Sequence, residues 1–256
     1  MNKTALITGA SSGLGLEFAK ICASEHNDLV LVARSEDRLN RLKEQLESEY
    51  GVNAYVCAAD LSVKDAALDV FRYTQEHDLH VDILINNAGF GDAGAFADRD
   101  WQRQYEMVQV NVTAMMQLTY CFLKPMVANG SGKILNLSSI ASFCAGPYMS
   151  IYYASKAFVR SFSEAIAEEV KGTGVTVTAL CPGPTATGFE KAAAMGEGST
   201  MFRHAVRASD VARDGIRAME KGAVLCNPGL FTKLMNFSAR IVPRSITRKF
   251  ATMMNR

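Results

Sequence analysis

The chain has 256 residues, of which 48% are hydrophobic and 21% charged, and its formal net charge is +1. This length fits one large domain better than two small ones, and such a domain buries about three quarters of its unfolded surface. The composition excludes intrinsic disorder and collagen-like or disulfide-scaffold classes. The near-zero net charge excludes a globally basic surface for nucleic acid. We therefore expect a small-molecule ligand.

The cysteines and the N-terminal segment indicate an intracellular protein. The six cysteines are scattered, without a CxxC pair or a Cys/His ligand spacing, which is typical of buried thiols in a reducing compartment. The apolar run at residues 5–7 is too short for a signal peptide, and no apolar run reaches the length of a membrane span. We predict a soluble, cytoplasmic protein without a metal site.

Short β-branched runs alternate with longer helical patterns along the chain, a rhythm typical of βαβ units. The pattern predicts an α/β fold, with a doubly wound, seven-stranded parallel sheet and helices on both faces. Ligands of such sheets bind beyond the carboxyl ends of the strands. Residues 1–256 are expected to form one domain. Predicted strands lie near 3–8, 28–33, 53–57, 81–85, 132–137, 174–180 and 222–226, and predicted helices near 13–24, 35–49, 64–77, 101–128, 151–171 and 209–221.

A glycine-rich loop, residues 8–15, follows the first strand and opens the first helix. Glycines let a backbone turn tightly and approach a pyrophosphate, while the helix N-terminus offers free N–H groups. The loop therefore predicts dinucleotide binding. Asp60 and Leu61, just after strand three, are expected near the adenine, unless Asp60 only caps a turn. The candidate binding residues in the loop are Gly9, Ser11, Ser12, Gly13, Leu14 and Gly15.

The end of the second strand predicts which dinucleotide binds. NAD favours a carboxylate about 20 residues after the glycines, but Ala33 stands at that point and Arg34 follows it. A guanidinium here suits a 2′-phosphate, which favours NADP(H). Asp37 is the alternative carboxylate. Residues 35–37 nevertheless fit better as the N-cap and acidic first turn of the next helix.

Tyr152 and Lys156 lie four residues apart, on one face of a predicted helix. An ammonium beside a phenol lowers the pKa of the tyrosine towards working pH, as a general acid/base requires. Tyr120 and Lys124 have the same spacing, but they lie near a helix end with no serine pair upstream. We interpret that second pair as structural.

A serine pair ends strand five, and Ser139 lies thirteen residues before Tyr152. A serine at the carboxyl end of a central strand is expected to face the ligand crevice. Ser138 is the alternative, because neighbouring side chains of a strand point to opposite faces. Asn111 lies between Val110 and Val112, and this apolar setting indicates a specific buried partner, although an ordinary helix position is the alternative.

These motifs, in this order and spacing, resemble those of the short-chain dehydrogenase/reductase family, in its single-domain branch. The likeness covers residues 3–226 and includes 86–89 after strand four and 182–187 after strand six. It implies that Tyr152 is the proton donor or base and that Ser139 binds the substrate oxygen. Further contacts with the cofactor are implied for Asn87, Ala88, Gly89, Tyr152, Lys156, Pro182, Gly183, Thr185 and Thr187.

The resemblance also implies roles for Lys156 and Asn111, which would hold the nicotinamide ribose and a water of the proton relay. It implies NADP(H)-dependent hydride transfer between the nicotinamide and a ketone or secondary alcohol. An apolar acyl-chain or steroid-like substrate is expected, because residues 33–35 and the basic tail are similar to those of hydroxysteroid dehydrogenases and long-chain ketoacyl reductases. The alternative is a non-catalytic NADPH-sensing or interaction protein. A homodimer through 101–128 and 151–171 is also implied.

Two segments break the alternating rhythm. Residues 185–208 carry Phe189, Met195, Met201 and Phe202, which predict an adaptable lid over an apolar pocket or, equally, packing of the segment on its own domain. Residues 229–256 carry six basic residues and no acidic one, with apolar residues at near-helical intervals. This tail is expected to lie on an anionic membrane or to pack beside the lid or across a dimer. Its basic residues are Lys233, Arg240, Arg244, Arg248, Lys249 and Arg256.

Overall fold

A computed structural model of the protein describes residues 2–189, 193 and 205–255. Seven strands form one sheet in the order β3-β2-β1-β4-β5-β6-β7, and every neighbouring pair is parallel. The predicted doubly wound α/β fold is thereby confirmed. The strands are β1 Thr4–Thr8, β2 Asp28–Ala33, β3 Ala54–Ala58, β4 Ile83–Asn86, β5 Gly132–Leu137, β6 Val175–Leu180 and β7 Leu225–Cys226.

Five of the six predicted helices are present close to their predicted bounds, and two further helices form in the tail. The predicted helix 101–128 is two α-helices separated by a π-helical stretch, Gln109–Ala114. Two shorter 3-10 helices span Phe96–Asp98 and Ile140–Phe143. The α-helices are α1 Gly13–Ser24, α2 Glu36–Tyr50, α3 Ala66–Glu76, α4 Trp101–Val108, α5 Met115–Ala128, α6 Ser150–Glu169, α7 Ala208–Glu220, α8 Gly229–Ile241 and α9 Arg244–Asn255.

The last strand is shorter than predicted. Residues 222–226 read as a strand, but Gly222 adopts a left-handed conformation with φ +65° directly after α7. A glycine in this conformation ends a helix rather than starting a strand. Only Leu225 and Cys226 therefore pair with β6.

Helices pack on both faces of the sheet through apolar side chains. The strands are therefore buried on both sides and are mostly apolar. On one face Phe18, Leu46 and Ile216 bring α1, α2 and α7 against the sheet. On the other face Val70 and Phe122 bring α3 and α5 against it, together with α6. With both faces closed, the free edge for a ligand is the row of carboxyl ends.

The sequence order of the strands reverses between β1 and β4, at the centre of the sheet. Thr8, at the end of β1, accepts hydrogen bonds from the backbone N–H groups of Asn87 and Ala88 at 3.0 and 2.9 Å. The Asn87 side chain donates in turn to the Thr8 carbonyl at 2.8 Å. These bonds fix the two strand ends that border the crevice.

The segments that break the rhythm differ in how much of them is described. Met195, Met201 and Phe202 lie outside the described residues. Within 185–208 the structure therefore describes mainly the two ends of the segment, and the lid stays a prediction. At these ends, Thr185–Ala186 and Val206–Arg207 pair as a small parallel ribbon. The tail folds into α8 and α9, separated at Pro243. Among the described helices, none is both long and apolar enough to cross a membrane.

Candidate active site

A cleft of about 660 Å³ opens beyond the carboxyl ends of the strands, at the point where the strand order reverses. This is where an α/β sheet binds its ligands. Most of the predicted site residues line it, and two do not: Gly15 and Asn111. Those that line it are Gly9, Ser11, Ser12, Gly13, Leu14, Arg34, Asp60, Leu61, Asn87, Ala88, Gly89, Ser139, Tyr152, Lys156, Pro182, Gly183, Thr185 and Thr187.

The loop between β1 and α1 has the shape that a phosphate-binding turn needs. Gly9 and Gly13 have φ values of +67° and +56°, which side chains rarely tolerate. A Cβ on Gly15 would lie 2.1 Å from the Gly9 carbonyl oxygen. Gly15 therefore lets the helix pack against the loop and does not itself line the cleft. The loop presents backbone and α1's N-terminus to the cleft, as a pyrophosphate requires.

At the outer end of the cleft, two guanidinium groups face the space beyond β2. Arg34 and Arg38 both line it, and both side chains are exposed. Asp37 lies in the first turn of α2, with Ser35 as the N-cap residue, and does not line the cleft. Asp60 lines the cleft and also caps a turn, since its Oδ1 accepts hydrogen bonds from the Ser62 backbone and hydroxyl.

At the inner end, Ser139 and Tyr152 both line the cleft, and their side chains are hydrogen-bonded to each other. The Ser138 hydroxyl instead donates to the Lys156 carbonyl at 2.8 Å, so Ser139 is the serine directed at the tyrosine. Desolvation raises the pKa of Tyr152 to about 12, although a hydrogen bond with the Ser139 hydroxyl acts in the opposite direction. The phenol is therefore protonated over the physiological pH range.

Lys156 is buried behind the tyrosine. Its Nζ donates to the Leu137 carbonyl at 2.8 Å and lies 5.9 Å from the centroid of the Tyr152 ring. The expectation that this ammonium lowers the pKa of Tyr152 is wrong for this structure, because desolvation of the phenol dominates. Burial also lowers the pKa of Lys156, to about 8.

Asn111 sits in the π-helical stretch, behind the cleft wall. Its Oδ1 accepts from the Phe90 backbone N–H at 3.0 Å, and its Nδ2 donates to the Phe90 carbonyl and the Ser155 hydroxyl at 2.9 and 3.1 Å. Stretches of π-helix often occur at functional sites. A Cβ on Gly89 would lie 2.9 Å from Asn111 Oδ1 and 3.3 Å from Lys156 Nζ. The strand-four loop, the π-helical stretch and α6 thus meet closely at this point.

The inner wall of the cleft is apolar, and it includes Phe189 of the segment for which a lid over an apolar pocket was one of the two predictions. Met149, Tyr153 and Phe189 line it, and the rings of Tyr152 and Phe189 lie 5.2 Å apart. Ala251 of α9 belongs to the same buried cluster. The tail therefore helps to build the site.

A hydrogen-bonded anchor attaches α9 to this wall. The Asn255 side chain accepts from the Tyr153 hydroxyl at 3.2 Å and donates to the Pro147 carbonyl at 2.9 Å. The two predictions for the tail were that its apolar residues lie on an anionic membrane or that they pack beside the lid or across a dimer. In the structure its small and polar residues pack, while most of its large apolar residues are exposed.

The described residues contain no group of three or more His, Cys, Asp or Glu side chains that could hold a metal ion. The cleft instead offers features that match a nicotinamide dinucleotide along its length. These are the left-handed glycines for a pyrophosphate, arginines at one end, and Lys156 and Tyr152 at the other.

The comparisons with known proteins agree with this geometry. The sequence model described as short chain dehydrogenase matches residues 3–197. The chain is 32% identical, over 182 residues, to a 7beta-hydroxysteroid dehydrogenase of Mediterraneibacter gnavus, which covers 71% of this chain and 68% of that protein.

Solved structures share the fold over most of the chain. A short-chain dehydrogenase from Sphingobium yanoikuyae in complex with NADPH has a TM-score of 0.83 at 32% identity, covering 89% of this chain and 88% of that one. A short chain dehydrogenase/reductase from Burkholderia phymatum in complex with NAD has a TM-score of 0.85 at 25% identity, covering 96% and 94%. The likeness extends to proteins bound to either nicotinamide dinucleotide.

Proposed function

Because the chain belongs to the short-chain dehydrogenase family, we propose that it interconverts a ketone and a secondary alcohol with NADP(H) as cofactor. As a member of this family it is an oxidoreductase that acts on a CH–OH or C=O group. The observation that carries the proposal is the meeting of Ser139, Tyr152 and Lys156 at the inner end of a cleft whose outer end holds Arg34 and Arg38.

The residues along the cleft fit a bound NADP(H). The loop from Gly9 to Leu14 would hold the pyrophosphate, and Arg34 with Arg38 would bind the 2′-phosphate by charge-assisted hydrogen bonds. When bound, the nicotinamide accepts or supplies the hydride. Lys156 would hold the ribose beside it. The absence of a carboxylate at Ala33 removes the group that favours NAD at this position.

The protein's own contribution is to hold and move one proton. In reduction, the Tyr152 hydroxyl donates its proton to the substrate oxygen, while Ser139 hydrogen-bonds the same oxygen. In oxidation, Tyr152 takes the proton back. Asn111 holds the backbone of Phe90 and the Ser155 hydroxyl of α6 in fixed positions, which steadies the helix that carries the tyrosine, and we propose that it also orders a relay water.

This assignment predicts opposite pH dependences for the two directions. Oxidation needs the phenolate, and the raised pKa of Tyr152 keeps this form scarce. We therefore expect kcat/KM for alcohol oxidation to rise with pH, by up to about tenfold per pH unit below the pKa. Reduction needs the neutral phenol and is not expected to gain from alkali. Initial rates of both directions, measured from about pH 6 to about pH 10, test this prediction. A rate of alcohol oxidation that falls with rising pH contradicts it.

An apolar substrate fits the inner wall better than a charged one. Met149, Tyr153 and Phe189 supply a hydrophobic surface around Tyr152, and such pockets bind by removing apolar area from water. The relative named for activity on a 7beta-hydroxysteroid supports a steroid-like or acyl-chain ketone.

The test of the proposed function is a panel of ketones and secondary alcohols assayed with NADPH and with NADH. We expect turnover with steroid-like or long acyl-chain compounds, and higher kcat/KM with NADPH. Quenching of nicotinamide fluorescence without turnover of any compound in the panel would instead identify a sensing protein. Turnover of small charged carbonyls alone would contradict the apolar substrate class.

We also propose a cytoplasmic homodimer that forms through α4, α5 and α6. Large apolar side chains are exposed on all three helices, including Trp101, which is 68% exposed, Tyr105, Tyr120 and Phe158. A two-fold interface would bury them against their own copies. Trp101→Glu combined with Tyr105→Glu is expected to convert the dimer to a monomer in sedimentation velocity. Val63→Glu, at an exposed site outside these three helices, is expected to leave it intact. Wild-type protein that sediments as a monomer contradicts this.

A further inference from the structure

The apolar side of α8 faces outward. Leu230, Leu234, Phe237 and Ile241 recur along one side of this helix and are 83%, 62%, 61% and 67% exposed. Thr232, on the opposite side, is buried. A surface helix normally turns its apolar stripe towards the core. Here the stripe is turned away from the core, and the helix is held to the protein by its other side.

The same arrangement recurs in α9. Ile246, Phe250 and Met253 are exposed at helical spacing, whereas Ala251 and Asn255 are buried. The two hydrogen bonds of Asn255 secure the packed side of the helix. The two exposed rows, which we call the tail stripes, therefore lie on helices whose opposite sides carry the buried residues Thr232, Ala251 and Asn255.

Charge complementarity indicates what covers the tail stripes. Residues 229–256 carry six basic residues and no acidic one. Lys233 and Lys249 are exposed, and each directly precedes a stripe residue, Leu234 or Phe250. Each lysine is therefore rotated by about 100° from the stripe. From that position a lysine stem lies along apolar surface while its ammonium reaches a polar layer.

A second copy of the chain fits this surface poorly. A two-fold contact places the same patch of each copy against the other. Two tails would then bring basic side chains together without one carboxylate between them. An anionic bilayer supplies both missing partners, namely phosphate or carboxylate headgroups for the lysines and arginines and an acyl boundary for the stripes.

We propose that α8 and α9 bind the surface of an anionic lipid bilayer, with the tail stripes at the headgroup and acyl boundary and Lys233 and Lys249 on headgroups. Because α9 packs behind the cleft wall through Ala251 and Asn255, the bilayer would lie near the apolar end of the cleft. Exchange of an apolar substrate with the lipid phase rests on the proposed function. The binding itself does not.

The test is co-sedimentation of the full chain with vesicles of phosphatidylserine and phosphatidylcholine, beside vesicles of phosphatidylcholine alone. We expect binding to the anionic vesicles only, and its loss in high salt, which screens exposed charges. Leu234→Glu with Phe237→Glu removes the stripe of α8, and Lys233→Glu with Lys249→Glu reverses two charges. Each pair is expected to weaken binding at least about tenfold. For the lysine pair, one basic residue near the surface changes the binding constant about fivefold. For the stripe pair, the apolar area that enters the acyl boundary is lost.

Val63→Glu and Lys64→Glu, at an exposed site far along the chain from the tail, are the matched controls and are expected to bind like wild type. Unchanged thermal unfolding and NADPH binding show that each variant is folded. The proposal is overturned if wild type does not bind anionic vesicles or if the tail variants bind as well as the controls. It is equally overturned if the stripe variants lower the sedimenting mass while vesicle binding persists, because a second copy then covers the stripes.

Discussion

Tyr152→Phe is expected to lower turnover of a ketone by about 10²–10⁴-fold, the range assigned to general acid catalysis. Phenylalanine keeps the ring that packs 5.2 Å from Phe189 and removes only the proton that the reaction needs. Cofactor affinity is expected to change little, since the cleft wall keeps its shape. Steady-state kinetics with NADPH, together with NADPH titration by fluorescence, measure the two quantities separately.

Tyr120→Phe is the matched control. Tyr120 and Lys124 repeat the four-residue spacing, and the Lys124 Nζ lies 5.5 Å from the Tyr120 ring, close to the 5.9 Å of the Tyr152 pair. Tyr120, however, is exposed on α5 and lines no cleft. Its variant is expected to keep wild-type turnover. A Tyr152→Phe enzyme that keeps most of its activity would falsify the proton-donor assignment.

Arg34→Ala is expected to weaken NADPH binding by about 1.5–3 kcal/mol, the contribution of a hydrogen bond to a charged group, or roughly 10–150-fold. NADH has no 2′-phosphate, so its affinity is expected to stay nearly constant. Arg38→Ala, four residues on, is expected to act in the same direction because both guanidinium groups line the same end of the cleft. Titration of each variant with both cofactors measures the effect.

Ala33→Asp tests the same end of the cleft by adding a carboxylate instead of removing a guanidinium group. A carboxylate at the end of β2 repels a 2′-phosphate and accepts hydrogen bonds from a ribose hydroxyl, so preference is expected to shift towards NADH. Arg41→Ala, further along α2 and outside the cleft lining, is the control and is expected to change neither affinity. Wild-type protein that binds NADH as tightly as NADPH contradicts the assignment of Arg34.

The sheet could be predicted closely because its strands are short runs that are apolar on both faces and alternate with longer helical patterns. The end of β2 at Ala33 and the start of α1 at Gly13 both follow from local residue chemistry. The π-helical stretch could not be predicted in this way, since its residues continue the helical pattern on both sides. Its central residue Asn111 instead hydrogen-bonds to Phe90, 21 residues away, a contact that no local pattern indicates.

The site residues that belong to sequence motifs could be predicted, and those outside the motifs could not. Arg38, an exception, lies in the first turn of α2, and a second basic residue so soon after the end of β2 could have identified it. The partner of Tyr153 could not be identified, because Asn255 lies 102 residues further along the chain and no local pattern connects the two. The pKa of Tyr152 was predicted in the wrong direction for the same kind of reason. The spacing in the sequence identifies Lys156 as a neighbour of Tyr152. The desolvation that raises the pKa of Tyr152 depends on how the folded protein buries the phenol.

The π-helical stretch also fixes the rotational phase between α4 and α5. Each helical residue advances the side-chain direction by about 100°, and one π-helical turn holds about one residue more than an α-helical turn. The stretch thus takes up one extra residue, and side chains on either side of it, Met107 of α4 and Leu118 of α5, are buried. Deleting that residue would let the stretch become α-helical and leave both of them in the core, but it would displace Asn111 from Phe90. A deletion at this point is therefore expected to disturb the contacts of Asn111 more than the packing of the helix pair.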